Sequence, residues 1–439
     1  MNTQNNLSMI KKILLFSLPI IAGQIGQMLF GIGDVLVASR YSNLAVASIG
    51  VASGIFAPFL VGGIGVLLCT GPLASQNKGS GHNDSKLLFN AYIVSLIIAI
   101  FMTIAIYLAP YYVVLFNLTP ELVPHVIDYL QITSFSILPA LLYQATKDYL
   151  QAQGRVYAPN IIIIVFNVVN VFLNYIFMFG IAGYEGFGIK GAAIATLVCR
   201  YLMAFTIFGY FISVDKLHIA VDKKIIKTIF KLGTPISVTM LCEVLGFVTV
   251  TVIVGGISLV ASAAQSIVVN ITSLTFMIPL GLGSAVSVLI GEEYGKKSLE
   301  GIKATTNGAL ILTLINQVFF ALMYLLIPTY IISLATTDAQ VMAYAATLLL
   351  WVGFFQIPDG LQVVLSGVLR GLNETKFPMV LGLFAYWVVG IPVGYYFAFP
   401  KKMEASGLWL GLAIALTVMS ILLGFFYINR LKKLRRLLA

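Results

Sequence analysis

What most constrains this chain is a succession of long apolar stretches running from Leu14 to Tyr427, broken only by short polar or Gly/Pro-rich segments. A bilayer core about 30 Å thick needs about 20 mostly apolar residues per helical crossing. Inside lipid every backbone N–H and C=O must be bonded within the structure, which favours helices. Of 439 residues only 10% are charged, against roughly 25% in soluble domains. The expected fold is an all-α integral membrane protein with twelve transmembrane helices, near 14–39, 44–74, 87–115, 127–150, 158–179, 190–212, 232–254, 259–290, 305–327, 341–368, 377–397 and 407–427. The longest polar break, "SVDKLHIAVDKKIIKTIFK", marks the midpoint. It divides the chain into a six-helix bundle over 1–212, a linker over 213–231, a second bundle over 232–427 and a basic tail over 428–439. The first apolar segment contains Asp34 and is read as a span, not a cleaved signal peptide. Cys69, Cys199 and Cys242 all fall in apolar segments and are read as packing residues.

Orientation follows from the basic residues. With the N-terminus inside, 21 of the 26 Lys and Arg residues fall on the inner side, only Arg40, Lys190, Lys401 and Lys402 fall outside, and Arg200 lies within a span. Both termini are therefore expected in the cytoplasm. The net charge of +10 is explained by this topology and by contact with anionic membrane lipids, so no nucleic-acid partner is expected.

The halves resemble each other. Pro19 in "LLFSLPII" matches Pro235 in "FKLGTPIS", and Gly63 and Gly65 match Gly281 and Gly283. "QGRVYAP" ending at Pro159 matches "RGLNETKFP" ending at Pro378, and "GAAIA" from Gly191 matches "GLAIA" from Gly411. The offsets are 216, 218, 219 and 220, nearly constant along the chain. An even number of spans per half gives a parallel repeat, and two such lobes around a central cleft form a transporter layout.

A charge at depth in a span costs about 2.5–3.5 kcal/mol on insertion scales, so it faces a cavity or a partner. Three acids qualify: Asp34, Glu243 and Asp359. In the first half Asp34, Asn170, Asn174 and Thr196 fall at similar depth, and Asn170 and Asn174 share one helix face. A carboxylate, two amides and a hydroxyl suit a proton or a small hard cation; the amides could equally serve to hold helices together. In the second half Glu243 lies near mid-depth and Asp359 toward the inner half of its span. Pro358 removes a backbone donor and is expected to kink its helix, leaving a carbonyl free near Asp359. Neighbouring acids there could share one proton or one cation, or the proline could serve packing alone. Pro19 precedes Asp34 by 15 residues and Pro235 precedes Glu243 by 8, so the scaffold repeats while the charged sites do not. Arg200 is expected to pair with an acid or with helix-end carbonyls, and Lys147 with Asp148 to snorkel at the inner end of the fourth span.

Other chemistry is excluded by pattern. "GEEYGKKS" has three residues between its glycines where a phosphate-binding loop needs four, and His82, His125 and His218 form no ligand cluster. No cofactor, metal or catalytic constellation is expected.

The segments "LPIIAGQIGQMLFGIGDVLVA", "FNVVNVFLNYIFMFG", "MLCEVLGFV", "QIPDGLQVV" and "VLRGLNETKFPM" are similar to those of the multidrug and toxic compound extrusion (MATE) family, in its NorM-type branch, over the whole chain. The resemblance implies a multidrug antiporter of the bacterial inner membrane, monomeric, exporting organic cations such as aromatic drugs or dyes while Na⁺ or H⁺ enters through the acids as two lobes rock. It assigns Glu243 and Asp359 to cation coupling in the C-lobe, and Asp34, Asn170, Asn174 and Thr196 to coupling or substrate in the N-lobe. Some relatives carry Asp where this chain has Asn174, which weakens the case for proton coupling there. Glu243 with Asp359 favours Na⁺ as the coupling ion, with H⁺ alone as the alternative. The competing functions are a lipid-linked oligosaccharide flippase of a related carrier class, for which basic cavity residues are expected, a membrane-embedded enzyme, and a channel.

Overall fold

The computed structural model describes residues 3–82, 85–116, 118–181 and 184–438. In chain order the helices are α1 Thr3–Tyr41, α2 Asn43–Leu67, α3 Thr70–Gly79, α4 Lys86–Tyr107, α5 Ala109–Tyr112, a 3₁₀ turn Val113–Phe116, α6 Leu122–Ser134, α7 Ile137–Ala152 and α8 Tyr157–Phe179. A two-residue hairpin of β1 Gly180–Ile181 and β2 Tyr184–Glu185 precedes α9 Ile189–Val214. Then follow α10 Lys223–Gly255, α11 Leu259–Gly295, α12 Leu299–Leu326, α13 Pro328–Ser333, α14 Ala339–Gly371, α15 Lys376–Leu383, a π-helical segment Phe384–Gly390, α16 Ile391–Ala398 and α17 Glu404–Leu438. Among the described residues 11 helices are long and apolar enough to cross a membrane, and 12 if the bent pair α6 and α7 is one span. The twelve-helix expectation holds in this form.

Two spans differ from expectation. The third ends at Tyr107, not at 115, because Pro110 opens the separate short helix α5. The fourth is broken by 44° between α6 and α7. Thr133 donates to Tyr129 O at 2.7 Å, Ser134 to Gln131 O at 2.7 Å and Ser136 to Thr133 O at 2.6 Å. Such back-bonding competes with the helical ladder, and Pro139 falls in the first turn of α7, where its missing N–H leaves no helical bond unmade. Lys147 and Asp148 do not snorkel: α7 is enclosed by α3, α4 and α9, leaving Lys147 2% exposed, and Gln144 Nε2 donates to both Asp148 oxygens at 2.9 and 3.0 Å.

The chain packs as two compact units that do not follow covalent order. One is Ala22–Ser237; the other joins the residues before Ala22 to those from Val238 onward. In the first unit Ser237 Oγ donates to Gly62 O at 2.7 Å, and neither Gly65 nor Gly233 has room for a Cβ, against Ser237 and Val66 respectively. In the second, Gly281 lies as closely against Ile21, and Gly308 against Ile13.

The repeat extends to the caps and turns. Ser42 and Ser258, 216 residues apart like Pro19 and Pro235, cap α2 and α11 by accepting the N–H of Ala45 and Ala261, both at 3.0 Å. Helix ends close with the same left-handed motif in both halves. His82 N–H donates to Asn77 O at 2.9 Å beside Gly81, and Ser298 N–H to Glu293 O at 3.0 Å beside Lys297. Arg155 N–H donates to Leu150 O at 2.9 Å beside Gly154, and Glu374 N–H to Leu369 O at 2.8 Å beside Asn373. The first half uses glycine at φ 81° and 88°; the second uses Lys297 at 56° and Asn373 at 60°. Lys297→Gly is therefore expected to raise the unfolding temperature in detergent by a few degrees. A left-handed backbone costs a non-glycine residue roughly 1–2 kcal/mol, more than the roughly 0.4–1 kcal/mol that glycine adds to unfolded-chain entropy. An unchanged or lowered melting temperature refutes this.

The linker is strapped to the start of α4. Ser85 Oγ donates to Lys216 O at 2.5 Å and accepts from His218 N–H at 2.9 Å, while Asn90 Nδ2 donates to Ala220 O at 2.9 Å and Asn90 Oδ1 accepts from Asp222 N–H at 2.8 Å. Removing both Asn90 bonds releases about 1–3 kcal/mol of local stability. Asn90→Ala is thus expected to speed tryptic cleavage after Lys216, Lys223 and Lys224 about tenfold or more, with wild-type cleavage rates as the refuting result.

Candidate functional site

Two polar clusters lie within the spans, one in each unit. In the unit Ala22–Ser237, α1 and α8 approach closely because Gly23 and Gly33 leave no room for a Cβ, against Asn160 and Val171 respectively. Opposite them α8 carries a stripe of amides, Asn160, Asn167, Asn170 and Asn174, and Asn167 Nδ2 donates to Gly26 O at 2.7 Å. Asp34, 5% exposed, sits at the end of this seam. Its Oδ1 accepts from Asn174 Nδ2 at 2.6 Å, and its Oδ2 accepts from Thr196 Oγ1 of α9 at 3.2 Å. Asn174 Nδ2 also donates to Asn170 Oδ1 at 3.1 Å. The four residues singled out in the sequence thus meet in one network.

Two further groups complete that cluster. Tyr129 of α6 donates its hydroxyl toward Asp34 Oδ2 at 3.5 Å; nothing in the sequence marked it. Arg200, four residues beyond Thr196, donates from Nη1 to Ser136 Oγ at 2.7 Å and lies 5.1 Å from the Phe56 ring centroid and 5.9 Å from that of Phe30. It is also within electrostatic reach of Asp34. The break between α6 and α7 is what presents the Ser136 hydroxyl. Among the described residues Asn174 Oδ1 and Asn170 Nδ2 are buried without a partner.

The second cluster joins α10, α14 and the π-helical segment. Glu243 Oε1 accepts from Gln362 Nε2 at 3.4 Å, and the same amide serves Asp359 one turn away. Asp359 is 6% exposed, and its Oδ1 has no partner among the described residues. Helix α14 continues through Pro358. A neighbouring carbonyl is occupied: Gln317 Nε2 of α12 donates to Gln356 O at 2.8 Å, and Gly360 leaves space for that amide. One turn from the acids, Phe355 stacks on Trp409 at 5.6 Å, Phe247 meets the same indole edge-on at 6.3 Å, and Trp409 Nε1 donates to Gln265 Oε1 at 2.8 Å. This aromatic layer packs α10 and α14 against α17 one turn from the carboxylates. Sequence reasoning missed Gln362, although its i+3 spacing from Asp359 was a usable signal.

Both clusters offer hard oxygen donors inside apolar helices, a setting for a proton or a small cation. Comparison with known proteins agrees with this membrane-carrier architecture. The MatE family model matches residues 19–176 and 235–396, the two halves of the repeat. The chain is 28% identical to the multidrug resistance protein NorM of Photobacterium profundum, covering 94% of each chain. It is 31% identical to a probable multidrug resistance protein NorM of Pasteurella multocida, covering 94% of this chain and 92% of that one. It also superposes with a TM-score of 0.87, at 19% identity and over 97% and 96% of the two chains, on a structure described as an outward-facing conformation of a multidrug resistance MATE family transporter. With both halves matched and close to full-length agreement, the chain belongs to the MatE, or multidrug and toxic compound extrusion, family.

Proposed function

We propose that this protein is a secondary active multidrug efflux antiporter, a transporter and not an enzyme, that exports organic cations in exchange for Na⁺, or for H⁺, by alternating access of its two lobes. The observation that carries the coupling is Asp359 Oδ1, a carboxylate oxygen buried in a span with no hydrogen-bond donor, beside Glu243 and sharing Gln362 with it. Such an oxygen is costly unless an ion or proton arrives. An organic cation attracted to the acids loses that attraction when the coupling ion takes its place, and this difference in affinity drives release. The same reasoning extends to Asp34 with Asn170, Asn174 and Thr196.

The names of the NorM relatives support drug export, and the outward-facing relative supports alternating access. The repeat halves 1–212 and 232–427 act as the lobes, in a bacterial inner membrane, with the linker, the basic tail and both termini cytoplasmic and in contact with anionic lipids. The protein works as a monomer without a cofactor. Purified protein in proteoliposomes is expected to expel a cationic dye when Na⁺ is supplied outside at fixed pH, and to stop when Na⁺ is removed. Efflux that ignores Na⁺ but stops when a pH gradient is dissipated selects H⁺. No efflux under either gradient refutes the antiporter.

A further inference from the structure

We propose that Tyr386 supplies a third oxygen ligand to the cation site of Glu243 and Asp359, delivered by the π-helical turn between α15 and α16; this rests on the ion-coupling reading above. The span Lys376–Ala398 departs from α-helical bonding over Phe384–Gly390, where Ile391 N–H bonds back five residues to Tyr386 O. Consecutive side chains of an α-helix diverge by about 100°, and a wider π coil brings them nearer to one face, a distortion that recurs at functional sites. Here both members of the pair Tyr386 and Trp387 reach α10. Trp387 bonds to Cys242, and the Tyr386 ring lies over Gly246, where an added Cβ would stand 3.2 Å from Tyr386 Cδ1. The two aromatic residues therefore bracket Glu243, which lies between those contacts on the same helix.

The phenol has no other occupation. Tyr386 is 1% exposed, its hydroxyl has no hydrogen-bond partner among the described residues, and it lies within electrostatic reach of Glu243 first and Asp359 second. Asp359 Oδ1 is unpartnered in the same place. Two orphaned oxygens on different helices, the Tyr386 hydroxyl and Asp359 Oδ1, within electrostatic reach of one another, are what a small hard cation needs to complete an oxygen shell. The π segment is also pinned: Gly411 has no room for a Cβ, which would meet Gly390 O and the Gly394 backbone, so α17 lies against the end of the segment, backbone to backbone. A cation drawing on Tyr386 thereby pulls α10, α14 and the π turn together.

The test is sodium binding to the purified full chain in detergent, followed with radioactive sodium at fixed pH alongside a thermal melt. Tyr386→Phe deletes an unpartnered hydroxyl, so the melting temperature is expected to stay or rise. Sodium affinity is expected to fall about tenfold or more, the scale on which losing one supporting group weakens a cation site. Gly246→Ala, which displaces the ring without touching an oxygen, is expected to weaken sodium in the same direction and by less. Wild-type sodium affinity in Tyr386→Phe overturns the proposal, as does a loss that appears only together with a lowered melting temperature. Absence of sodium binding in the wild type overturns the sodium reading itself.

Discussion

Asp34→Asn, Glu243→Gln and Asp359→Asn are each expected to lower gradient-driven dye efflux at least about 100-fold while leaving the protein folded. The magnitude follows from the charge removed. A carboxylate about 4 Å from a monovalent cation contributes about 4 kcal/mol at an effective dielectric constant near 20, which is about three decades in affinity. An amide of the same shape keeps a carbonyl oxygen and loses that attraction. For Glu243→Gln and Asp359→Asn stability moves the other way, because neutralising a charge within a span removes an insertion cost of about 2.5–3.5 kcal/mol. Asp34→Asn instead leaves Arg200 without its counter-charge and is expected to lower stability. Melting temperatures at or above wild type, with efflux lost, are the expected signature of the Glu243 and Asp359 variants in detergent and in proteoliposomes. Wild-type efflux from all three variants sinks the assignment of these acids. Efflux lost together with the fold in Asp34→Asn alone would reduce that residue to a structural role in its network with Asn174 and Thr196.

The spans were legible because lipid imposes one rule, internal satisfaction of the backbone, on every stretch of about 20 apolar residues. The repeat was legible for a related reason: prolines and glycines mark close approaches and turns whose geometry has few chemical solutions. Pro19 with Pro235, and Gly63 and Gly65 with Gly281 and Gly283, are such marks. What stayed hidden depends on register or on a partner far along the chain. Ser136, Tyr129 and Arg200 meet only because α6 breaks from α7 by 44°, and the amount of a bend cannot be read from "TSFSILP". Tyr386 reaches Glu243 only because seven residues depart from α-helical winding; a regular helical wheel places its face wrongly. Lys147 illustrates the opposite error. A basic residue at the end of an apolar stretch ordinarily snorkels, but enclosure by α3, α4 and α9 leaves it nowhere to go. The unit boundary was hidden too, since the packing exchange at Ile21 and Ser237 falls inside unbroken helices.

Arg200 carries the second large effect. Among the described residues it is the cation within electrostatic reach of Asp34, held by Ser136 Oγ and laid over Phe56 and Phe30. Removing one member of a buried pair strands the other and costs about 3–5 kcal/mol, whereas replacing both with apolar or neutral groups of similar shape is often neutral. Arg200→Met, which keeps the volume over the two rings, is therefore expected to lower the stability of the unit Ala22–Ser237 by about 3–5 kcal/mol. Adding Asp34→Asn to it is expected to recover most of that loss, so the two changes are strongly non-additive. The melt of the double variant is what decides. Recovery shows that Arg200 neutralises Asp34 across the bundle, which makes the guanidinium the counter-charge that a coupling cation must compete with. Additive losses would mean that Arg200 acts through Ser136 and the rings alone, as a brace across the break between α6 and α7. In that case the Asp34 charge would rest on Asn174, Thr196 and Tyr129, and an entering cation would meet no competitor for it.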